Sequence, residues 1–162
     1  MDPDRLKLRR EDAAVLVIDV QERLVAAMGP ERGGRVVRAT RMLVEGARVL
    51  GLPVIATEQY PRGLGPTVDA VRSVLPPDFP PIEKTAFSCL AEEAVRAAIE
   101  ATGRRQWIVA GMEAHVCVFQ TVRDLAAAGR DVFVASDAVL SRTDGNVRVG
   151  LGLARDAGAV ET

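Results

Sequence analysis

Short apolar segments rich in Val and Ile recur along the chain and are separated by segments with helical periodicity. The apolar segments have the length of strands, and we predict buried strands over residues 13–20, 53–57, 106–112 and 131–136, with a further strand-like segment at 159–162. Continuous apolar strands, without alternation of polar residues, are typical of a parallel sheet covered on both faces.

Helical segments lie between these strands. Apolar positions spaced by three and four residues begin at Val36 and end at Leu50, and Gly51 is a typical helix stop. Similar patterns predict helices over 91–101, 116–128 and 145–158. Strands that alternate with helices predict right-handed crossover units. We therefore expect one α/β domain over 1–162, a three-layer α/β/α sandwich with a mainly parallel sheet.

The longest stretch without a regular pattern, 58–67, contains Tyr60, two Pro and two Gly. It follows a predicted strand end. In sheets of this kind, ligands bind beyond the carboxyl ends of the strands, and binding residues are common in loops. We therefore predict that 58–67 is a binding loop.

The overall charge argues against large anionic partners. The chain has 162 residues, with 21 basic and 22 acidic side chains and a net charge of -1. No global positive field is available to attract nucleic acid or an anionic membrane. The charged N-terminal segment does not resemble a signal peptide, and no apolar run is long enough to span a bilayer. We expect a cytoplasmic protein with a small-molecule substrate.

Side chains suited to catalysis are few. Of the 21 basic residues only Lys7 and Lys84 are lysines, and the chain has one histidine, His115, and two cysteines, Cys89 and Cys117. One histidine excludes a multi-histidine metal cluster, and three Cys and His residues are too few for a four-ligand zinc site. The segment GLGPT at 63–67 lacks the third glycine of a dinucleotide-binding motif. We predict no metal and no cofactor.

Asp19 ends an otherwise apolar strand segment. It either caps the following helix or serves as a general base, and its position alone leaves both open. Cys117 lies near the start of a predicted helix, where the helix dipole favours a thiolate, so it is either a nucleophile or a buried packing residue. For Cys89 we favour packing, with Ser88 as the helix cap.

Lys84 and His115 are the remaining candidates. Lys84 lies on or beside a short predicted strand, and an ammonium group can approach a thiolate as a compact charge in a way that a guanidinium cannot. His115 precedes Cys117 by two residues, and residues two apart on a helix point in different directions. We therefore interpret His115 as a pocket or packing residue rather than as a base.

Three motifs together resemble the isochorismatase-like cysteine hydrolase superfamily. Residues 17–21, VIDVQ, are similar to its D-x-Q strand end, 83–88, EKTAFS, to its lysine segment, and 111–118, GMEAHVCV, to its cysteine elbow. Residues 57–67, TEQYPRGLGPT, are similar to the isochorismatase domain-containing proteins. The resemblance covers the chain from about Ala13 onwards. It implies a Rossmann-like sheet with strand order 3-2-1-4-5-6.

The resemblance also implies roles for individual residues. Asp19, Lys84 and Cys117 would be base, cation and nucleophile. A cis peptide bond would join Met112 to Glu113, and the N–H groups of Glu113 and Cys117 would form an oxyanion hole. The implied substrate pocket consists of Gln21, Glu58, Gln59, Tyr60, Phe87 and His115. The metal-binding residues of nicotinamidase-type relatives are missing, which disfavours nicotinamide.

These features favour a cysteine-dependent hydrolase of a small amide-like substrate, acting through a thioester and assembled as a homo-oligomer. Two alternatives stay open. The first is an interaction scaffold with the same fold and little or no catalysis. The second is a hydrolase of isochorismate-type vinyl ethers, which the intact cysteine elbow makes less favourable.

Overall fold

Six parallel strands form a single sheet in the computed structural model, which describes residues 6–162. The strands are β1 (Ala13–Ile18), β2 (Val54–Gln59), β3 (Ile82–Lys84), β4 (Gln106–Met112), β5 (Asp131–Leu140) and β6 (Val160–Glu161). Their order across the sheet is β3-β2-β1-β4-β5-β6. This confirms the predicted α/β class and the strand order implied by the resemblance.

Residues 6–162 also contain seven α-helices. They are α1 (Glu22–Ala27), α2 (Pro30–Leu50), α3 (Pro61–Leu64), α4 (Asp69–Arg72), α5 (Glu93–Ala101), α6 (Phe119–Ala127) and α7 (Asp144–Asp156). Apolar residues of α2 and α4 pack on one face of the sheet, and those of α5, α6 and α7 pack on the other. Within residues 6–162, no helix is long and apolar enough to cross a membrane.

β1 is the central strand, and its six residues are all buried. It pairs with β2 and β4, and the carboxyl ends of these strands lie at one edge of the sheet, with Ile18 beside Thr57 and Gly111. The strand order reverses between β1 and β4, so this edge is where a ligand is expected in an open parallel sheet. The local fold therefore brings the residues after Ile18, Thr57 and Met112 together.

Several predicted boundaries differ from the structure. β1 ends at Ile18 instead of residue 20, because Asp19 has a φ of 55° and breaks the extended conformation. β5 continues to Leu140, beyond the predicted end at 136, after a shift in its register with β4. The segment 58–67 is not irregular throughout, because β2 reaches Gln59 and 61–64 form a helical turn.

The helix predicted over 116–128 begins earlier and in another form. Ala114–Val118 form a π-helical turn that precedes α6. The helix predicted over 91–101 also differs at its start. Cys89–Ala91 form a 3₁₀ turn, and α5 follows at Glu93–Ala101. Ser88 accepts a hydrogen bond from the Leu90 N–H and so caps the 3₁₀ turn, whereas α5 itself begins after Glu92 without a side-chain cap.

Two glycines allow close backbone contacts near the carboxyl edge. Gly111 has a φ of 133°, and a Cβ there would lie 1.9 Å from the Ile18 carbonyl oxygen. Gly150 in α7 packs on the π-helical turn, where a Cβ would lie 2.5 Å from the Ala114 carbonyl carbon. The contact at Gly150 helps to set the distance between the sheet and the π-helical turn that carries Cys117.

A matched pair of substitutions in α7 tests this contact. Gly150→Ala places a methyl group against the Ala114 backbone, and we expect a loss of about 1–3 kcal/mol in unfolding free energy from overpacking. Gly152→Ala meets nothing within 4 Å and should gain up to about 1 kcal/mol from better helix propensity. Urea unfolding measures both. Equal effects of the two substitutions would contradict the assignment.

Candidate active site

Asp19 lies at the centre of the carboxyl edge and is fully buried. Its Oδ1 accepts a hydrogen bond of 2.7 Å from the Thr57 hydroxyl, and its Oδ2 lies 2.8 Å from Lys84 Nζ. Its backbone N–H bonds to the Thr57 carbonyl. The residue that precedes α1 is Gln21, so Asp19 is not the helix cap. Its carboxylate is held between β2 and β3.

Lys84 ends β3 and its side chain is completely buried. Its Nζ donates hydrogen bonds to Gln59 Oε1 at 2.7 Å, to the Ala86 carbonyl at 3.1 Å and to the Phe87 carbonyl at 3.2 Å. Burial lowers the pKa of Lys84, but the attraction of Asp19 and of the two cysteine positions outweighs it, so the pKa is raised. Because every neighbour is an acceptor, the site holds Lys84 as an ammonium ion.

Cys117 lies on the π-helical turn and is 6% exposed. Burial and the negative charge of Asp19 raise the pKa of its thiol to about 12, although Lys84 acts in the opposite direction. The position of the thiol beside the Asp19 carboxylate also favours the protonated form. The resting group is therefore a thiol beside a carboxylate, not the thiolate that its position near a helix start suggested.

Thr57 and Cys89 belong to the surroundings of Asp19. Cys89 is fully buried, and its Sγ lies 3.9 Å from Thr57 Oγ1. Burial and Asp19 raise the pKa of Cys89 to about 11, and its N–H donates to Thr121 Oγ1. The packing role predicted for Cys89 agrees with this burial. Sequence reasoning missed Thr57, because the segment at the end of β2 gave no sign that its hydroxyl meets Asp19.

Gln21, Glu58 and Gln59 bind other parts of the chain. The Gln21 amide donates to the carbonyls of Gln59 and Gly65 and accepts from the Gln59 N–H. Glu58 accepts from the Thr67 N–H at 2.6 Å. The Gln59 side chain donates to the Thr85 carbonyl besides accepting from Lys84. Here they shape the loop and hold Lys84; their assignment to the substrate pocket stays a prediction.

Two aromatic residues of the predicted pocket lie beside Lys84. The Tyr60 N–H donates to the Lys84 carbonyl, and the Phe87 carbonyl accepts from Lys84 Nζ. Their side chains are exposed, at 56% for Tyr60 and 54% for Phe87. Tyr60 has a φ of 38°, and a Cβ on Gly63 would lie 2.4 Å from its ring. Gly63 therefore makes room for the tyrosine.

The peptide bond between Met112 and Glu113 is cis. The Glu113 carboxylate accepts three hydrogen bonds from Arg142, one from its backbone N–H and two from its guanidinium, the shortest at 2.7 Å. Burial raises the pKa of Glu113, but these hydrogen bonds outweigh it and lower the pKa. Sequence reasoning also missed Arg142, because a partner 29 residues away leaves no local pattern.

His115 is half-buried on the π-helical turn, and its Nδ1 lies 3.0 Å from the Ser141 hydroxyl. Ser141 itself is fully buried. Ser141 directly follows β5, so this contact ties the imidazole to the end of that strand. In the described part of the chain, no group of three or more His, Cys, Asp or Glu side chains is arranged to hold a metal ion.

The structure thus brings together a thiol, a carboxylate that can accept its proton and an ammonium ion that neutralises the carboxylate. Such a constellation is suited to nucleophilic catalysis, in which a weak nucleophile gains reactivity from an adjacent base. Asp19, Lys84 and Cys117 come from three different segments of the chain, at the ends of β1 and β3 and after β4.

Comparison with known proteins agrees with this fold and motif set. Residues 13–162 match the isochorismatase domain family, and the chain belongs to that family. A curated relative, isochorismatase domain-containing protein 1 of Salmo salar, is 40% identical over 130 residues. That alignment covers 77% of this chain and 43% of the relative, so the chain spans less than half the length of that protein.

Two solved structures are similar over nearly the whole chain. YcaC from Escherichia coli, described as an octameric hydrolase of unknown specificity, has a TM-score of 0.90 and 28% identity, covering 97% of this chain and 78% of its own. YcaC from Pseudomonas aeruginosa, solved with hexane-2,5-diol and covalent acrylamide, has a TM-score of 0.87 and 29% identity, covering 96% and 78%.

Proposed function

We propose that this chain is a hydrolase that cleaves a small amide-like C–N bond through a thioester on Cys117. The observation that carries this proposal is the buried ion pair of Asp19 and Lys84, 2.8 Å apart, whose charges both act on the Cys117 thiol. The covalent acrylamide in the P. aeruginosa YcaC structure supports a nucleophilic side chain in this fold, since acrylamide is an electrophile that adds to nucleophiles through its vinyl carbon.

In the first half of the reaction, the Cys117 sulfur attacks the amide carbon as its proton passes to Asp19. The raised pKa of the thiol means that attack and proton transfer must be coupled, because little thiolate exists beforehand. The carbonyl electrons move to the oxygen and form a tetrahedral oxyanion. When it collapses, the C–N bond breaks, and the amine leaves with the proton from Asp19.

Water completes the cycle by the same route. Asp19 accepts a proton from water as the water oxygen attacks the thioester carbon. The second tetrahedral oxyanion then collapses, the C–S bond breaks, and Cys117 recovers the proton from Asp19. The products are a carboxylic acid and an amine, and the enzyme returns to its starting state.

Lys84 takes no proton in this scheme. Its Nζ is surrounded by acceptors, and its raised pKa keeps it charged, so it acts as a fixed positive charge. It keeps Asp19 in place and offsets part of the negative charge that grows as the thiol loses its proton. Electrostatic stabilisation of this kind needs a group that does not reorganise during the reaction.

The N–H groups of Glu113 and Cys117 are the proposed oxyanion donors. The anchoring of Glu113 by Arg142 supports this role, because the ion pair fixes the residue that precedes the π-helical turn. Donors held in place before reaction are worth several kcal/mol to an oxyanion, about 3–4 kcal/mol for one side-chain amide donor in a protease.

Two other functions carry less support. Hydrolysis of a vinyl ether does not need the thiol that the site places against Asp19. A scaffold without catalysis gives no reason for a buried carboxylate and ammonium beside a thiol, which are costly to bury unless they serve a purpose. The cytoplasmic location and the lack of a nucleic-acid partner stay predictions.

We also propose that the chain assembles with copies of itself, with support from the octameric E. coli YcaC. Exposed apolar residues such as Val49, at 86% exposure, and Val149, at 55%, are compatible with contacts between copies. Light scattering on the intact protein should give a mass of several chains. A mass equal to one chain at micromolar concentration would contradict this proposal.

Substitution of the two cysteines tests the catalytic assignment. Cys117→Ala should abolish hydrolysis of small amides, since no nucleophile remains, while Cys89→Ala, the matched change at the other buried thiol, should keep most of it. Amine release from an amide library measures turnover, and circular dichroism confirms folding. Loss of activity in Cys89→Ala alone would contradict the role of Cys117.

The amine-release assay also tests whether Asp19 acts as the base or only as a negative charge. Asp19→Asn removes a charge that raises the pKa of Cys117, so we expect the thiol pKa to fall while turnover is lost. Thiolate absorbance in the Cys89→Ala background follows the pKa. A variant that turns over normally would show that Asp19 does not carry the proton.

A further inference from the structure

The charged groups around Cys117 are paired within the chain, and this pattern bears on the charge of the substrate. Asp19 pairs with Lys84, and Glu113 pairs with Arg142. The N–H groups of Lys84 donate hydrogen bonds to Gln59 and to two backbone carbonyls. Each of these two cations already has a carboxylate partner in the chain, and this pairing weakens its attraction for an incoming carboxylate.

Arginines of the neighbouring elements are also paired. Arg32, which donates to the Ser141 carbonyl, pairs with Asp144 at 2.6 Å. Arg123 pairs with Asp124, whose other oxygen accepts from Ser88. Proteins commonly recognise a carboxylate with a guanidinium whose N–H donors are free to form two parallel hydrogen bonds. These two guanidinium groups already bind carboxylates of the chain.

A cavity beside Lys84 has more negative than positive charge in its lining. Its volume is about 330 Å³, and its charged lining residues are Arg62, Glu83, Lys84 and Glu92. With Lys84 balanced by Asp19, two carboxylates remain against one guanidinium. An excess of one sign of charge repels ligands of that sign and lowers their local concentration.

The surroundings of the Cys117 thiol also disfavour a negative charge. Burial and Asp19 outweigh Lys84 at the sulfur, so the site resists a negative charge at the reacting atom. A carboxylate placed beside this sulfur would meet the same burial and the same Asp19 charge. The paired cations, the excess of carboxylates in the cavity beside Lys84 and the surroundings of the thiol therefore all disfavour a carboxylate near Cys117.

We propose that the site takes an uncharged amide and discriminates against substrates that carry a carboxylate. This inference rests on the proposed function and narrows its substrate class. It disfavours dianionic vinyl ethers of the isochorismate type, and it disfavours amides of dicarboxylic acids. A small neutral amide needs only the oxyanion donors and a polar contact for its NH₂ group, without a cationic partner.

Two probes of nearly equal size test the proposal without any need for turnover. Iodoacetamide is neutral and iodoacetate is anionic, and both alkylate a thiol when sulfur forms a C–S bond and iodide leaves. In the Cys89→Ala protein, mass spectrometry follows alkylation of Cys117 alone. The rate ratio of iodoacetamide to iodoacetate is compared with that of N-acetylcysteine amide at the same pH and salt.

We expect the rate ratio for Cys117 to exceed that of N-acetylcysteine amide by at least about tenfold. A tenfold difference corresponds to the interaction energy that shifts a pKa by about one unit. A ratio equal to or below that of the small thiol overturns the proposal. If the ratio is high and no amide is hydrolysed, the proposed function fails and only the discrimination against carboxylates stands. If neutral and anionic amides are hydrolysed equally, this inference alone fails.

Charge variants identify the cause of the discrimination. Glu113→Gln frees the Arg142 guanidinium, and Glu83→Gln removes an exposed carboxylate from the cavity beside Lys84, so each should raise the relative rate of iodoacetate several-fold. Glu45→Gln is the matched control, since it breaks an equivalent pair with Arg41 on α2. The control should leave the ratio unchanged. An unchanged ratio in both test variants contradicts the assignment to these charges.

Discussion

The ion pair between Asp19 and Lys84 is the interaction on which the site depends. Both side chains are fully buried, and their charged atoms are 2.8 Å apart. Burying either charge alone would cost several kcal/mol, so each is stable only while the other is present and the remaining polar atoms are satisfied. Thr57 satisfies the second carboxylate oxygen, and Gln59 and two carbonyls satisfy the ammonium. The pair thereby fixes the carboxyl ends of β1, β2 and β3 relative to one another.

This arrangement explains why a buried thiol beside an ammonium ion does not become a thiolate. Lys84 favours the charged sulfur, but burial and Asp19 oppose it more strongly. In the proposed mechanism the carboxylate accepts the proton of the thiol, and the lysine stabilises the carboxylate and the charge that develops. The π-helical turn completes the geometry, because Gly150 lets α7 press directly on the backbone before Cys117.

Much of the fold follows from the sequence, because apolar runs and helical periodicity are local signals. The strand predicted over 106–112 matches β4 residue for residue, and the helix stop at Gly51 coincides with a left-handed C-cap. β5 extends past its predicted end because pairing with β4 resumes after a register shift, which depends on the neighbouring strand. The form of the turn before α6 likewise depends on contacts with α7, which no local pattern encodes.

The candidate site divides in the same way. Asp19, Lys84 and Cys117 stand out by residue type and position, and the structure places them together. Thr57 and Arg142 contribute through contacts 38 and 29 residues away along the chain, so only the folded chain reveals them. Gln21 has the position of a pocket residue in the motif, yet its amide binds the backbone of the following loop. That distinction depends on where the loop at Gly65 returns.

The charge state of Lys84 tests the central claim most directly, and the presence of only two lysines makes the measurement simple. In protein labelled with ¹⁵N-lysine, the Lys7→Arg variant leaves a single side-chain Nζ signal, followed by NMR as the pH rises. Because the folded pKa of Lys84 is raised, its stabilising contribution persists through the pH at which a free lysine titrates, about 10.4, and is lost only above it. The account predicts that Lys84 is still mainly an ammonium ion at that pH. Loss of its proton below that pH would contradict the account.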